Sequence, residues 1–293
     1  MPHPETKSPR TISRRSFLKR GGLATIGFLG LSCLPFYSYY KERLWLDTVE
    51  LELRLPGLPE PFRGLKVVHF SDVHYGFHYG AEEFEALLAG ISVHQPDLIV
   101  FTGDLFDGPV LPYRDECVEL LSRLRAPLGQ YAVMGNHDYY TGRKLAAAAY
   151  ADSGFELLTN RSAIIRRGNA YIQLVGLDDM LLGRPDLNAA FSGLSSDAFT
   201  LLLAHEPDFA DRTSAYRVDL QLSGHSHGGQ FRLPLIGEIM TPPGGKRYVQ
   251  GLYELEDRDV PSDVYTNRGI GTTHIPVRFL CRPELTVITL QGA

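Results

Sequence analysis

An α/β protein built on two stacked, mixed β-sheets flanked by helices is the fold class that this 293-residue sequence predicts. Three observations predict it. Over residues 65–155, short apolar runs alternate with stretches of helical periodicity, the pattern of parallel strands joined by right-handed crossovers. Beyond Phe155 the strands shorten and follow one another, the texture of a mixed sheet. And five clusters of His, Asp and Asn open from the carboxyl ends of apolar strands, where α/β sheets bind their ligands.

The elements follow in order. Val49, Leu51, Leu53 and Leu55 alternate with Glu50, Glu52 and Arg54, so 44–55 reads as a half-exposed strand, and 56–61, bounded by prolines, as a loop. A strand over 65–70 leads to a helix over 81–93, where Phe84, Leu87, Leu88 and Ile91 stand at helical spacing. A strand at 97–101, a helix at 115–124, a strand at 130–134 and a helix at 143–150 complete the parallel half. Strands at 162–166, 171–176, 199–204 and 218–223 come next, then strand-like pieces at 248–255, 264–267, 277–280 and 286–290 in a Gly- and Pro-rich tail. No linker-like stretch interrupts 44–293, which reads as one domain behind a leader, 1–43.

Composition narrows the function. Hydrophobic residues make up 44% and charged residues 22%, ordinary for a globular chain. Net charge is −5, but residues 1–20 carry six Lys and Arg against Glu5, which leaves about −10 on the remainder. No nucleic-acid partner is expected of so acidic a body, because non-specific affinity for nucleic acid comes from cationic contacts to phosphate. If it handles phosphates, bound metal supplies the positive charge. Cys33, Cys117 and Cys281 form no even framework, and two buried thiols are expected in the body.

The leader carries Ser13-Arg14-Arg15-Ser16-Phe17-Leu18-Lys19, which matches the twin-arginine export signal, followed by an uncharged apolar run over 21–40. The translocase of that pathway is an expected partner, and an extracytoplasmic location is expected. The run lacks an A-x-A site and is about long enough to span a bilayer, so an uncleaved membrane anchor is favoured.

The five clusters are Asp72 with His74; Gly103-Asp104 with Asp107; Gly135-Asn136-His137-Asp138; His205; and Gly224-His225 with His227. Crowding so many imidazoles and acids at one rim is costly unless cations compensate. The donors are nitrogen and oxygen without thiolate, which suits Mn²⁺, Fe or Zn²⁺. They are too many for one ion; two ions roughly 3.5–4 Å apart and sharing a carboxylate would use them all.

These blocks, in this order, resemble the signature blocks of calcineurin-like metallophosphoesterases over Leu65 to the C-terminus. The extension Gly228-Gly229-Gln230-Phe231-Arg232-Leu233-Pro234 and the later Asn267-Arg268-Gly269 are similar to an exported bacterial branch, the YkuE/YaeI-like phosphodiesterases. The resemblance implies a four-layer α/β/β/α sandwich and two divalent cations, Mn most of all. It places Asp72, His74 and His227 on the first cation, Asn136, His205 and His225 on the second, and Asp104 between them. A hydroxide shared by the cations is then the nucleophile, its pKa lowered by their charge. His137 would stabilise or protonate the leaving oxygen, with Asp138 orienting its ring. Asp107 is assigned to support of a loop or ligand, or to capping a helix. Arg268 is a candidate for a phosphate oxygen or for bracing its loop, and His274 is a weaker candidate to face substrate. His69 reads as a core histidine, and His78 and His94 as surface residues.

The resemblance implies a hydrolase of phosphodiester or pyrophosphate bonds acting on a phosphorylated small molecule or a lipid-linked substrate. UDP-2,3-diacylglucosamine, a lipid A precursor, is the alternative, and a non-catalytic scaffold of the same fold is the rival from another class. Specificity is expected from loops 76–80, 178–187 and 240–249.

Overall fold

The computed structural model of the protein describes residues 32–258 and 260–292. The twin-arginine motif and the first part of the apolar run lie outside the described residues. Residues 32–40 are helical, and among the described residues no helix is long and apolar enough to cross a membrane.

In chain order the elements are β1 (Asp47–Leu55), β2 (Leu65–Phe70), α1 (Ala81–Val93), β3 (Leu98–Phe101), α2 (Arg114–Leu121), β4 (Gln130–Ala132), α3 (Asn136–Asp152) and β5 (Glu156–Leu157). There follow β6 (Arg161–Arg167), β7 (Ala170–Gly176), α4 (Leu187–Ala190), β8 (Thr200–Leu203) and β9 (Leu220–Ser223). A short hairpin, β10 (Arg232–Leu233) and β11 (Gly237–Glu238), precedes β12 (Gly251–Leu255), β13 (Ser262–Thr266) and β14 (Glu284–Gly292). The first sheet has the order β1-β14-β2-β3-β4-β5 and the second β12-β13-β9-β8-β7-β6, so both hold six strands. Both are mixed: β14 runs antiparallel to β2, while β7 and β13 are antiparallel to β6 and β12.

Strand alternation builds the layers. Leu65, Val67, Leu98 and Val100 of the first sheet face Leu201, Leu203, Leu220 and Leu222 of the second. The intervening residues Val68, Phe70, Ile99 and Phe101 point the other way, against Phe84, Leu87 and Ile91 of α1 and Leu120 and Leu121 of α2. Val175 and Leu202 cover the far side of the second sheet together with Ala190, Phe209 and Val218. The result is helix, sheet, sheet, helix.

Two local outcomes differ from the sequence reading, and a third concerns a placement it left open. Helix α3 starts at Asn136 rather than 143, because the Asp138 carboxylate caps the Gly135 N–H at 3.1 Å and opens the helix directly after β4. The 143–150 periodicity lies beyond a break at Gly142 (φ 124°). The strand expected over 277–280 is a lone bridge between Phe231 and Phe279. And the last strand returns to the first sheet, between β1 and β2.

Candidate metal centre

The parallel strands β2, β3, β8 and β9 end at one rim, and the segments that leave them carry the polar clusters. Five of these residues, Asp72, His74, Asp104, His225 and His227, have φ between 50 and 68°. Non-glycine residues in this left-handed region cost roughly 1–2 kcal/mol each. Asp72, His74, Asp104, His205, His225 and His227 are all buried.

Two sets of donors converge. Asp72, His74 and His227 offer atoms within 4.8 Å of one another, as do Asp104, His205 and His225. A further set, His74, Asp104 and His137, links them. His74 Nε2 stands 3.0 Å from His227 Nε2 and 3.7 Å from Asp104 Oδ2. His205 Nε2 is 3.2 Å from the same Asp104 oxygen. Asn136 sits at the start of α3, and its buried Oδ1 has no hydrogen-bond partner.

Backbone carbonyls fix two of the imidazoles. His205 Nδ1 lies 2.6 Å from the Thr102 carbonyl and His225 Nε2 lies 2.9 Å from the Pro243 carbonyl. A carbonyl can only accept, so those nitrogens carry the protons. When both rings are neutral, the other two, His205 Nε2 and His225 Nδ1, face each other with their lone pairs at 3.1 Å. Lone pairs at that distance beside a carboxylate take up positive charge, as a proton on His205 or as a bound metal ion that displaces it. The donor set and the orphaned Asn136 oxygen fit a divalent ion here.

Without a metal ion, a proton on His205 supplies that charge. Burial works to lower the His205 pKa, but the carboxylates of Asp104 and Asp72 hold it well above the imidazole range. Burial and the neighbouring His205 push His225 down to about 4. Burial, His74 and the Arg278 guanidinium hold His227 well below its ordinary value, in the neutral form a cation binds. Burial opposes ionisation of Asp104, yet His205 beside it keeps its carboxyl well below the usual range.

Backbone packing leaves no slack. A Cβ on Gly135 would stand 2.3 Å from Asp104 Oδ1 and 2.5 Å from His205 Cε1. One on Gly224 would stand 2.3 Å from Asp72 Oδ2. Glycine before these ligands is a packing requirement. The first turn of α3 also donates: the His137 N–H reaches Asp104 Oδ1 at 2.8 Å.

The two acids assigned to support exchange roles. Asp138 does not orient His137: its oxygens accept from the amides of Gly135, Asp104 and Leu105 and from the Tyr150 hydroxyl, clamping two loops together. Burial and Asp104 push it up to about 6, against the pull of those amides. Asp107 faces the ring instead, its Oδ2 lying 3.4 Å from His137 Nδ1 and 3.3 Å from His74 Nδ1. Burial lowers and Asp107 raises the His137 pKa, and the net shift is upward. Its side chain is 15% exposed, whereas His74 and His205 are wholly buried, and its Nε2 lies 3.4 Å from Thr273 Oγ1.

Arg268 does not reach towards a phosphate. Its guanidinium bonds Glu284 and, at 2.9 Å, Asp47, which braces the loop against β1 and β14. His69 is buried on Thr102 at 2.9 Å, pushed down to about 3 by burial, while His78 is exposed and His94 half-buried. His274 is exposed, its ring centroid 6.3 Å from that of His137. Cys117 and Cys281 are buried free thiols.

One residue had no signal in the sequence. Arg278 is fully buried and donates to the carbonyls of Arg268, Gly269, Gly271 and Cys281, with Nη2 3.4 Å from His227 Nδ1. Its partners are main-chain oxygens, which residue type does not mark. It supports the loop behind His227.

Comparison with known proteins agrees with this geometry. The profile of the family described as calcineurin-like phosphoesterase matches residues 65–229. The metallophosphoesterase YkuE of Bacillus subtilis is 39% identical over 97% of this chain and 99% of its own length. The phosphodiesterase YaeI of Escherichia coli is 32% identical over 95% of this chain and 99% of its own. A transmembrane protein with a metallophosphoesterase domain from Danio rerio is 33% identical over 84% of this chain and 57% of that protein.

Proposed function

The chain belongs to the calcineurin-like phosphoesterase family, metal-dependent phosphoester hydrolases, and on that premise we propose that it is a two-metal phosphodiesterase acting outside the cytoplasm. The observation that carries the reading is the pair of buried nitrogen and oxygen sets joined through Asp104. Asp72, His74 and His227 would hold one ion, and Asn136, His205 and His225 the other. Such ions supply positive charge for the phosphate oxygens and acidify the attacking water.

The chain's own residues do the rest. Thr102 and Pro243 hold His205 and His225 in the tautomers that present a lone pair. Asp107 orients His137, which keeps its proton more tightly than a free imidazole and stands at the open side of the cluster. That proton is placed for delivery to the leaving oxygen. Arg268 and Arg278 are both committed to internal partners, so no contribution from them meets the substrate. A site in which neither of these arginines meets the substrate suits the single negative charge of a diester better than the double charge of a monoester. The name of the Escherichia coli relative supports the same choice. The extracytoplasmic location rests on the twin-arginine motif at Ser13–Lys19.

Hydrolysis of bis-p-nitrophenyl phosphate with Mn²⁺ tests the assignment. We expect His137→Ala to lower turnover roughly 10²–10⁴-fold with metal content near that of the parent. Parental turnover in His137→Ala would remove it from the chemistry.

A further inference from the structure

The β10–β11 hairpin binds nothing in the metal centre, yet site residues flank both its ends. It follows His227 and Gln230 directly, and the chain leaving it reaches Pro243, whose carbonyl fixes the His225 ring. A Cβ on Gly229 would stand 2.3 Å from the Glu238 Cβ, so the hairpin folds tightly onto the ligand loop. It therefore rises at the lip of the cleft.

Its tip is aliphatic and bare. Leu235 is wholly exposed, and Ile236 and Met240 are 72% and 78% exposed. Leu235 also has φ 67°, a conformation that Gly or Asn takes at a turn with less strain. A branched aliphatic side chain that is strained and unburied contributes nothing to the fold. Arg232 pairs with the hairpin's one acid, Glu238, at 3.0 Å, so no free negative charge opposes an apolar contact.

The apolar surface continues from the hairpin towards the N-terminus. Phe231 bridges to Phe279, next to half-exposed Leu280. The same stretch is tied to the N-terminal helix and the turn after it: the Arg278 N–H donates to the Ser38 carbonyl at 3.3 Å, and the Cys281 N–H to Glu42 Oε1 at 2.8 Å. That helix exposes Phe36 and Tyr40, and Trp45 follows with the Arg282 guanidinium 3.6 Å over its ring. Aromatic rings with adjacent Lys41 and Arg282, next to bare aliphatic residues, are the composition of a surface that enters a lipid headgroup layer. The uncharged run over 21–40 ends in this helix, so the sequence leading into it is apolar.

We infer that the hairpin tip and the N-terminal helix seat together on a lipid bilayer, so that the cleft opens at the lipid–water boundary and receives the phosphoester headgroup of a lipid. The seating stands on the exposed face alone; the substrate class rests on the phosphodiesterase reading.

Fluorescence of the full chain tests it. Trp45 is the sole tryptophan, so Trp45→Phe provides a silent background. Into it go Ile236→Trp at the hairpin or Val93→Trp at the far end of α1, which runs away from the strand-end rim. Vesicles of phosphatidylethanolamine and phosphatidylglycerol with dibrominated chains should quench the indole introduced by Ile236→Trp roughly twofold, and that introduced by Val93→Trp hardly at all. Equal quenching of both, or of neither, overturns the seating. So does a shift of the sedimentation coefficient towards monomer in Leu235→Asp/Ile236→Asp, which would make the face a contact between copies. The same double variant should cleave a vesicle-borne phosphodiester about tenfold more slowly and bis-p-nitrophenyl phosphate at the parental rate. Failure of the parent to cleave either substrate would sink the phosphodiesterase reading and leave the quenching result standing.

Discussion

At the scale of residues, the centre is held by constraints with no slack, and the ligands carry the strain. Five of them sit in the left-handed region, where their side chains alone repay nothing locally. The sequence marked which residue types gather, because strand ends and their His and Asp are visible in the chain. It did not mark which carboxylate faces which ring. Asp138 immediately follows His137, yet a helical first turn carries neighbours to different sides, and Asp107 from another loop meets the imidazole. Arg268 was likewise legible as a charged loop residue but not as the partner of Asp47 and Glu284, which are distant in sequence. Gly135 gives the sharpest test at this scale. A methyl there meets Asp104 and His205 at 2.3 and 2.5 Å. Gly135→Ala should weaken Mn²⁺ binding by roughly 10–100-fold in calorimetric titration while circular dichroism stays parental. Unchanged affinity would mean that the loop has room to give.

Among the elements, strongly periodic segments were readable and cap-determined ones were not. Helix α1 matches its expected range because four apolar residues define its buried face. Helix α3 begins seven residues early because a single Asp cap, not periodicity, fixes its start. Strands β12 and β13 carry a separate, measurable consequence. Glu254 and Asp263 are directly opposite in their antiparallel register, so like charges face each other. Burial and then Glu254 push the Asp263 carboxyl up to about 6 from its ordinary 3.8. Between those values the folded chain holds a proton that the unfolded chain releases, so stability is greatest below that window and falls as pH rises through it. Asp263→Asn should remove this fall and leave a variant more stable than the parent at neutral pH, as read by thermal melts from pH 4 to 8. A steeper fall in the variant would contradict the sign. This pair lies at the end of the sheet away from the metal rim, so the melt reports the strands alone.

For the whole molecule, the two-sheet architecture was legible because parallel and mixed halves differ in texture along the chain. The place of β14 was not. Its residues read as an ordinary strand, and only the nine-residue parallel register with β1 shows that it joins β1 to β2 and so closes the gap between them. That closure fixes Arg268 and the loop behind Asp72, so the C-terminus helps to hold the first cluster in place. The centre is therefore a property of the complete fold: side chains from five segments, spread from Asp72 to His227, meet only when both sheets are formed. Anomalous diffraction from crystals grown with Mn²⁺ tests this most directly. We predict two peaks roughly 3.5–4 Å apart, one among Asp72, His74 and His227 and the other among Asn136, His205 and His225, with Asp104 between them. One peak alone, or two peaks bound elsewhere on the protein, would contradict the account.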